Sequence, residues 1–172
     1  MEWRLRRATV ADAATLALVA GATFLEAFAG VLSGRDIVDH CAAKSNADVF
    51  ARWAADPASV VMLAEAAAGG APVGYTVLTA PDLPVPSGPA DIELRRIYAL
   101  TPTHGHGLGP ALMQQAVEDA RGLGHERLLL GVYGGNARAH RFYDKQGFSR
   151  IGTRQFRVGA TLHDDFVYAR PI

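Results

Sequence analysis

The sequence predicts a mixed α/β sandwich, one domain in which a central sheet is flanked by helices. Three observations predict it. Runs of strand length, alternating or continuously apolar, recur along the 172 residues and are interleaved with amphipathic runs of helical period. Their order is strand, helices, hairpin and strand, then helix, strand, helix and hairpin, so the two kinds of element are mixed throughout. With 49% hydrophobic residues, a chain of this length buries a sizeable core without disulfides or structural metal.

Trp3-Arg4-Leu5-Arg6 alternates apolar with basic and predicts a first strand with one buried face. Thr9 is placed to cap the next helix, with Asp12 where a capping box prefers an acid. Leu16, Val19, Ala20, Thr23, Phe24 and Ala27 share one face of that helix, which runs to about Phe28. Gly30 and Gly34 break the chain, and two helical pieces follow, Asp36 to Ala43 and Ala47 to Ala55, stopped by Asp56-Pro57. Val60 to Ala64 and Val73 to Leu78 predict a hairpin around Ala67 to Pro72. Pro81, Pro84, Pro86 and Pro89 then make a loop that is neither helix nor central strand.

Ile92 to Leu100 predicts a strand whose alternation slips at Arg95-Arg96, where a β-bulge is expected, and Thr101-Pro102 ends it. Leu108, Leu112, Ala116, Ala120 and Leu123 give the following helix its apolar stripe, with Gly122 and Gly124 to stop it. Leu128 to Val132 is continuously apolar, the pattern of a strand covered by helices on both faces. Asn136 is suited to cap a helix over Ala137 to Gln146, which Gly147 ends. Ser149 to Arg157 and His163 to Ala169 complete the chain as strands around Val158-Gly159-Ala160, a predicted hairpin. No internal repeat and no interdomain linker is visible.

Seventeen basic and seventeen acidic side chains cancel, so no global field steers the protein to nucleic acid or an anionic membrane. The expected partners are small or local. Cys41 is the single cysteine, which excludes an internal disulfide, suits a reducing cytoplasm and reads as a buried, inert thiol. Arg4, Arg6 and Arg7 before the apolar run Ala13 to Leu25 imitate a signal peptide, but Asp12, Glu26 and the helical stripe argue for an amphipathic helix too short to span a bilayer.

Chemistry is concentrated in His104-Gly105-His106-Gly107-Leu108-Gly109, between the strand and the helix. Three glycines at alternate positions leave amides bare of Cβ atoms, and the helix N-terminus adds unpaired donors and partial positive charge, which makes a cradle for a diphosphate. A dinucleotide fingerprint needs glycine where Pro110 stands, and a P-loop needs Lys followed by Ser or Thr. By itself the loop also reads as a ligand-free turn. His104 and His106 form a His-x-His pair without a third ligand at fitting spacing, so no metal is expected.

The loop is close to the Arg/Gln-x-x-Gly-x-Gly/Ala signature of the GCN5-related N-acetyltransferases, with His104 in place of Arg or Gln. Downstream, Asn136-Ala137-Arg138-Ala139-His140-Arg141-Phe142-Tyr143-Asp144-Lys145-Gln146-Gly147-Phe148 fills every fixed position of that family's second signature, N-x-x-A-x-x-F-Y-x-x-x-G-F. The element order resembles the acetyltransferase fold along nearly the whole length. The resemblance implies a mixed, mostly antiparallel central sheet flanked by helices, whose early helices wall the acceptor site. It implies direct acetyl transfer from acetyl-CoA to a primary amine in a ternary complex. His104, Gly105, His106, Gly107, Leu108 and Gly109 would then hold the diphosphate, and the main chain of Ile97, Tyr98 and Ala99 would pair with the acetyl carbonyl and pantetheine. Asn136 would line the same groove as Tyr143, since seven residues separate them, two helical turns or about 10 Å.

Within this reading Glu93, eleven residues ahead of His104, is the candidate base, against the plainer alternative of a salt bridge to Arg95. Tyr143 is the candidate acid, against the alternative of a core tyrosine beside Phe142. His104 is a further expected donor to the diphosphate. Ile92 to Tyr98, the glycine loop, Phe156-Arg157-Val158-Gly159 and Asp164-Asp165 look most like bacterial polyamine N-acetyltransferases, and Asp36, Asp39 and Asp48 are acids that would line the acceptor wall. The expected partner is a small-molecule amine in the cytoplasm, with no nucleic acid or membrane, and a homodimer is left open. Two other readings remain: acetylation of protein N-termini or lysines, and a CoA-binding regulatory module without turnover.

Overall fold

Strands β1 (Trp3–Arg7), β2 (Val60–Ala66), β3 (Pro72–Thr79), β4 (Asp91–Ala99), β5 (Arg127–Tyr133), β6 (Ser149–Val158) and β7 (Thr161–Pro171) build one sheet in the order 1-2-3-4-5-7-6. Every neighbouring pair is antiparallel except β4 with β5. The computed structural model describes residues 1–158 and 161–172, so the predicted hairpin turn at Gly159-Ala160 lies outside the described residues.

Helices α4 (Leu108–Gly122) and α5 (Ala137–Lys145) cover one face of the sheet. There Met113, Ala116, Val117 and Ala120 meet Ile92, Leu94, Leu128, Leu130 and Val132, and Tyr143 of α5 joins them. Helices α1 (Ala13–Phe28), α2 (Gly34–Lys44) and α3 (Ala47–Ala55) lie on the other face. Leu16, Val19 and Ala20 of α1 and Phe50 of α3 pack on Val61, Leu63, Tyr75 and Val77. Burying each of these large side chains contributes on the order of 2 kcal/mol, which is why the two stripes decide where the helices dock.

Local chemistry acts largely as expected. The Thr9–Asp12 capping box forms at a 3-10 turn, Val10–Asp12, that leads into α1. Four expectations need correction. Gly34 does not break the chain: Ser33 caps α2 by accepting from the Asp36 amide, and Gly34 is the first helical residue. The second face of β5 is covered by the proline-rich loop and not by a helix, since Leu129 packs with Leu83, Val85, Val167 and Ala169. An apolar run records only that both faces are dry. The helical stretch Val10–Phe28 is 19 residues long and apolar enough to cross a membrane by length and composition, so it is not too short; its inner stripe packs on the sheet instead. Cys41 is half-buried where a buried thiol was expected, and burial raises its pKa above the ordinary thiol value, which keeps it protonated.

Candidate active site

The β4–β5 pair is closed at one end and open at the other. Asp91, Ile92 and Glu93 face Arg127, Leu128 and Leu129 as three parallel rungs, and the ladder stops there. At the closed end Arg127 donates from Nε and Nη2 to the two oxygens of Asp91, both at 2.7 Å, and from Nη2 to the Pro86 carbonyl at 3.2 Å. The Gly88 amide also donates to Asp91, and the Arg127 guanidinium, with burial opposing it, holds the carboxyl below its usual range.

Beyond Glu93, β4 stays on β3 as far as Ala99, while β5 stays on β7 as far as Tyr133. The cause lies in β4 itself. Val77 pairs with Arg96 and Leu78 with Leu94, so Arg95 is the extra residue of the bulge that the Arg95-Arg96 slip predicts. A bulge increases local twist, and here the two parallel strands diverge past it. Ile97, Tyr98 and Ala99 therefore have a strand partner on the β3 side only. Gly74 permits the closest of these approaches, because a Cβ there would lie 2.8 Å from the Tyr98 carbonyl oxygen.

The glycine turn stands over the open end. Gly105 (φ +79) and Gly107 (φ +80) are left-handed, and Gly107 is the N-cap of α4 without a side-chain cap. The amides of His104 and His106 are spent on the carbonyls of Thr101 and Thr103. Those of Gly105, Gly107, Leu108 and Gly109 meet no acceptor among the described residues, so four donors converge with the positive end of the α4 dipole. A Cβ on Gly109 would lie 3.7 Å from the Phe142 ring, so α5 comes near the first turn of α4 at this point.

The two histidines of the turn face different partners. His104 is placed with Nε2 at 3.1 Å from the Ala99 carbonyl and Nδ1 at 2.6 Å from Arg138 Nη1, on α5. His106 lies with Nδ1 at 3.2 Å from the Met1 ammonium, and its carbonyl accepts from the Trp3 indole at 3.2 Å.

On α5, Asn136 caps the helix by accepting from the Ala139 amide at 3.0 Å. Tyr143 is 8% exposed, among Phe142, Phe148 and Tyr168, and its hydroxyl has no hydrogen-bond partner among the described residues. Burial, with a smaller contribution from the nearby Tyr98, raises its pKa above the ordinary phenol value, so the proton is held at neutral pH. His140 Nε2 donates to the Gly134 carbonyl at 3.0 Å and Nδ1 accepts from Tyr168 at 3.1 Å, tying α5 to the turn before it. The role of His140 has no signal in the sequence, because both of its bonds depend on tertiary placement.

Glu93 is 3% exposed at the last rung. Its Oε2 accepts from the Asp82 amide at 2.7 Å and from Arg95 at 3.2 Å, so the salt bridge to Arg95 is made. The face of the open end opposite α4 and α5 carries aromatic and cationic side chains. Phe24 stacks on His40 at 4.2 Å, Phe28 meets Tyr133 at 6.0 Å, and Arg154 lies over Phe156 while bonding Asp165 at 3.2 Å. Gly131 of β5 makes room for that guanidinium, which a Cβ would meet at 2.6 Å. Arg96 reaches only the Lys44 carbonyl, at 3.4 Å, and has no carboxylate partner among the described residues. Burial, with Arg96 and Lys44 adding to it, lowers the pKa of His40 to about 4, and its Nε2 is buried without a partner among the described residues. The three predicted acids are not gathered there: Asp39 is exposed and paired with Arg35 at 3.7 Å, Asp48 is exposed at the start of α3, and Asp36 is half-buried beside the Ser33 cap.

Comparison with known proteins gives the family and the fold. A model of the acetyltransferase (GNAT) family matches residues 32–148. An uncharacterized N-acetyltransferase of Mycobacterium tuberculosis (strain ATCC 25618 / H37Rv) is 36% identical over 161 residues, 94% of this chain and 98% of the relative. Among solved structures, the PaiA N-acetyltransferase of Thermoplasma acidophilum in complex with coenzyme A superposes with a TM-score of 0.81 at 20% identity, covering 100% of both chains. A GCN5-related N-acetyltransferase from Rhodopseudomonas palustris gives 0.75 at 17% identity, covering 100% of this chain and 97% of the other. At these identities the two structures are alike in fold.

Proposed function

The chain belongs to the acetyltransferase (GNAT) family and is an N-acetyltransferase, and from that premise we propose that it moves the acetyl group of acetyl-CoA to a primary amine of a small molecule. One observation supports this most: the β4–β5 ladder ends at Glu93 and Leu129, and β4 continues beyond it into a turn whose four amides are unspent among the described residues. The residues present fit the cofactor. The amides of Gly105, Gly107, Leu108 and Gly109 would hold its diphosphate, and the free edge of Ile97 to Ala99 would pair with the pantetheine amides. When bound, it supplies an activated acetyl thioester.

An alkyl amine, with a pKa near ~10.4, arrives protonated and has to lose a proton before it attacks. Glu93 is positioned at the root of the opening, and since Oε2 is engaged by Asp82 and Arg95, Oε1 is the atom left to take that proton through water. Tyr143 holds its own proton by burial and would be the donor to the cofactor's sulfur as the thiol leaves.

The acceptor can be read one step more narrowly, as a polyamine or related small cation. Motif likeness supports it: Ile92 to Tyr98, the glycine loop and Asp164-Asp165. Charge placement counts against it, because Arg96 and Arg154 lie on the face opposite α4 and α5, where the acceptor would enter, while Asp39 and Asp48 are exposed elsewhere. A panel of amines assayed for free CoA thiol decides the matter. The expected result is acetyl-CoA-dependent thiol release with at least one small primary amine. For the polyamine reading, kcat/KM for spermidine should exceed that for a simple monoamine by tenfold or more and fall as salt is raised. An enzyme that acetylates only peptide N-termini or lysines would overturn the small-molecule reading.

A further inference from the structure

We propose that Arg138, presented by α5, carries the positive charge that binds the cofactor diphosphate, the charge that His104 does not supply. The inference rests on the cofactor reading above and concerns which side chain completes the cradle.

Arginine has no acceptor, so the 2.6 Å contact between Arg138 Nη1 and His104 Nδ1 has one sense: Arg138 donates and Nδ1 carries the lone pair. The imidazole proton is then on Nε2, where it is donated to the Ala99 carbonyl at 3.1 Å. Both nitrogens of His104 are spent, so the expectation that it donates to phosphate does not fit this geometry. His104 is instead a positioning residue, linking the end of β4 to Arg138 across the open mouth.

Arg138 is in an unfavourable place for a cation with no anion nearby. It is the second residue of α5, in the turn where the helix dipole repels positive charge. It is exposed, and among the described residues it has no carboxylate partner, in contrast to Arg4, Arg6, Arg7, Arg95, Arg127 and Arg154. One of its five N–H donors is used, which leaves the Nε and Nη2 edge free for a bidentate contact to phosphate oxygens. Through His104 it stands beside the turn whose four amides are unspent. Two helix N-termini and an unneutralised guanidinium therefore converge at one mouth, and a diphosphate is the part of the cofactor whose charge answers them.

Calorimetry with CoA and with dephospho-CoA, which keeps the diphosphate and lacks the 3′-phosphate, tests the assignment. Arg138→Gln retains a donor for His104 Nδ1 while removing the charge, so an effect on binding reports charge rather than loop position. The expected result is a fall in affinity of tenfold or more for both ligands, a shallower salt dependence, and an unchanged Tm. His104→Arg placed in the Arg138→Gln background should recover affinity to within about threefold of the parent. Affinity for both ligands within twofold of the parent in Arg138→Gln overturns the proposal. So does a loss confined to CoA, which would place Arg138 on the 3′-phosphate. A parent protein that binds neither ligand overturns the cofactor reading itself, whatever the variant does.

Discussion

Over three rungs β4 and β5 are held by main-chain pairing and by the 2.7 Å fork between Arg127 and Asp91; over their remaining residues they share no rung at all. At the closed end each polar group has a partner: Asp91 has Arg127 and the Gly88 amide, and Arg127 also has the Pro86 carbonyl. Toward the open end the amides of Gly105, Gly107, Leu108 and Gly109 meet no acceptor among the described residues, and the guanidinium of Arg138 meets His104 but no carboxylate. Satisfied groups hold the closed end together, whereas the amides at the open end are left to water or to a ligand. With the cofactor held as proposed, one strand pair would separate stability from chemistry along its length.

Substitution at the two ends should separate in the same way, and the largest effect is expected at the open end. Gly107→Glu places a carboxylate at the N-cap of α4, where it captures the free amides and repels a diphosphate; CoA affinity should fall by ~10³ or more. Because Gly107 is left-handed at φ +80, Gly107→Ala is the control for backbone strain alone, and it should keep affinity within about tenfold. Calorimetry on folded protein checks both, and undiminished CoA binding in Gly107→Glu would remove the cradle from the cofactor site.

Next in size, Tyr143→Phe should lower turnover by ~10² while leaving CoA affinity within a few-fold, since the ring stays packed among Phe142, Phe148 and Tyr168. Turnover within threefold of the parent, measured with chemistry rate-limiting, would assign the proton to another donor.

The smallest effect belongs to the closed end, and it should appear in stability. Asp91→Asn loses charge-assisted bonds to Arg127 and should cost about 2 kcal/mol of folding stability, with CoA affinity within a few-fold. The pH dependence follows from the sign of the shift. Arg127 lowers the folded-state pKa of Asp91 below its unfolded value, so the contribution is complete above the unfolded pKa, near ~3.9, and is lost as pH falls through the lower folded value. Denaturant titrations of parent and variant should therefore differ at neutral pH and converge in acid; a gap that persists at the lowest pH would mean that the stabilisation is not electrostatic.

Those elements whose pattern is local were legible in the sequence. The Thr9–Asp12 box, the stripe of α4 and the Arg95-Arg96 slip each have a mechanical meaning within a few residues, and each has its counterpart in the structure. The stripe of α4 was read one residue too far, since Leu108, Leu112, Ala116 and Ala120 are fully buried while Leu123 is 42% exposed past the helix end. What covers the second face of β5 was not legible, because a dry strand looks the same under a helix as under a loop bearing Leu83 and Val85. The partnership of His104 with Arg138 was hidden for a different reason. The residues stand 34 positions apart, and only the docking of α5 against α4, through Phe142 and Gly109, brings them together. Glu93 and Tyr143 were readable as residues of interest, but the salt bridge of one and the isolation of the other belong to packing.

The sheet order has a further consequence. Strands β1 to β4 pair only among themselves through antiparallel rungs, and so do β5 to β7, so the molecule is sewn from two consecutive blocks of chain whose seam is the β4–β5 line. A chain opened at the Gly122–Gly124 turn would keep every antiparallel rung within one piece or the other, and would sever no part of the sheet except its connection by α4. A ligand held on one side by β4 and on the other by α5 crosses that seam and binds the assembled blocks better than the separated ones. Acetyl-CoA would then be a stitch as well as a substrate, adding to the cohesion of the two halves with the logarithm of its concentration once that exceeds its dissociation constant.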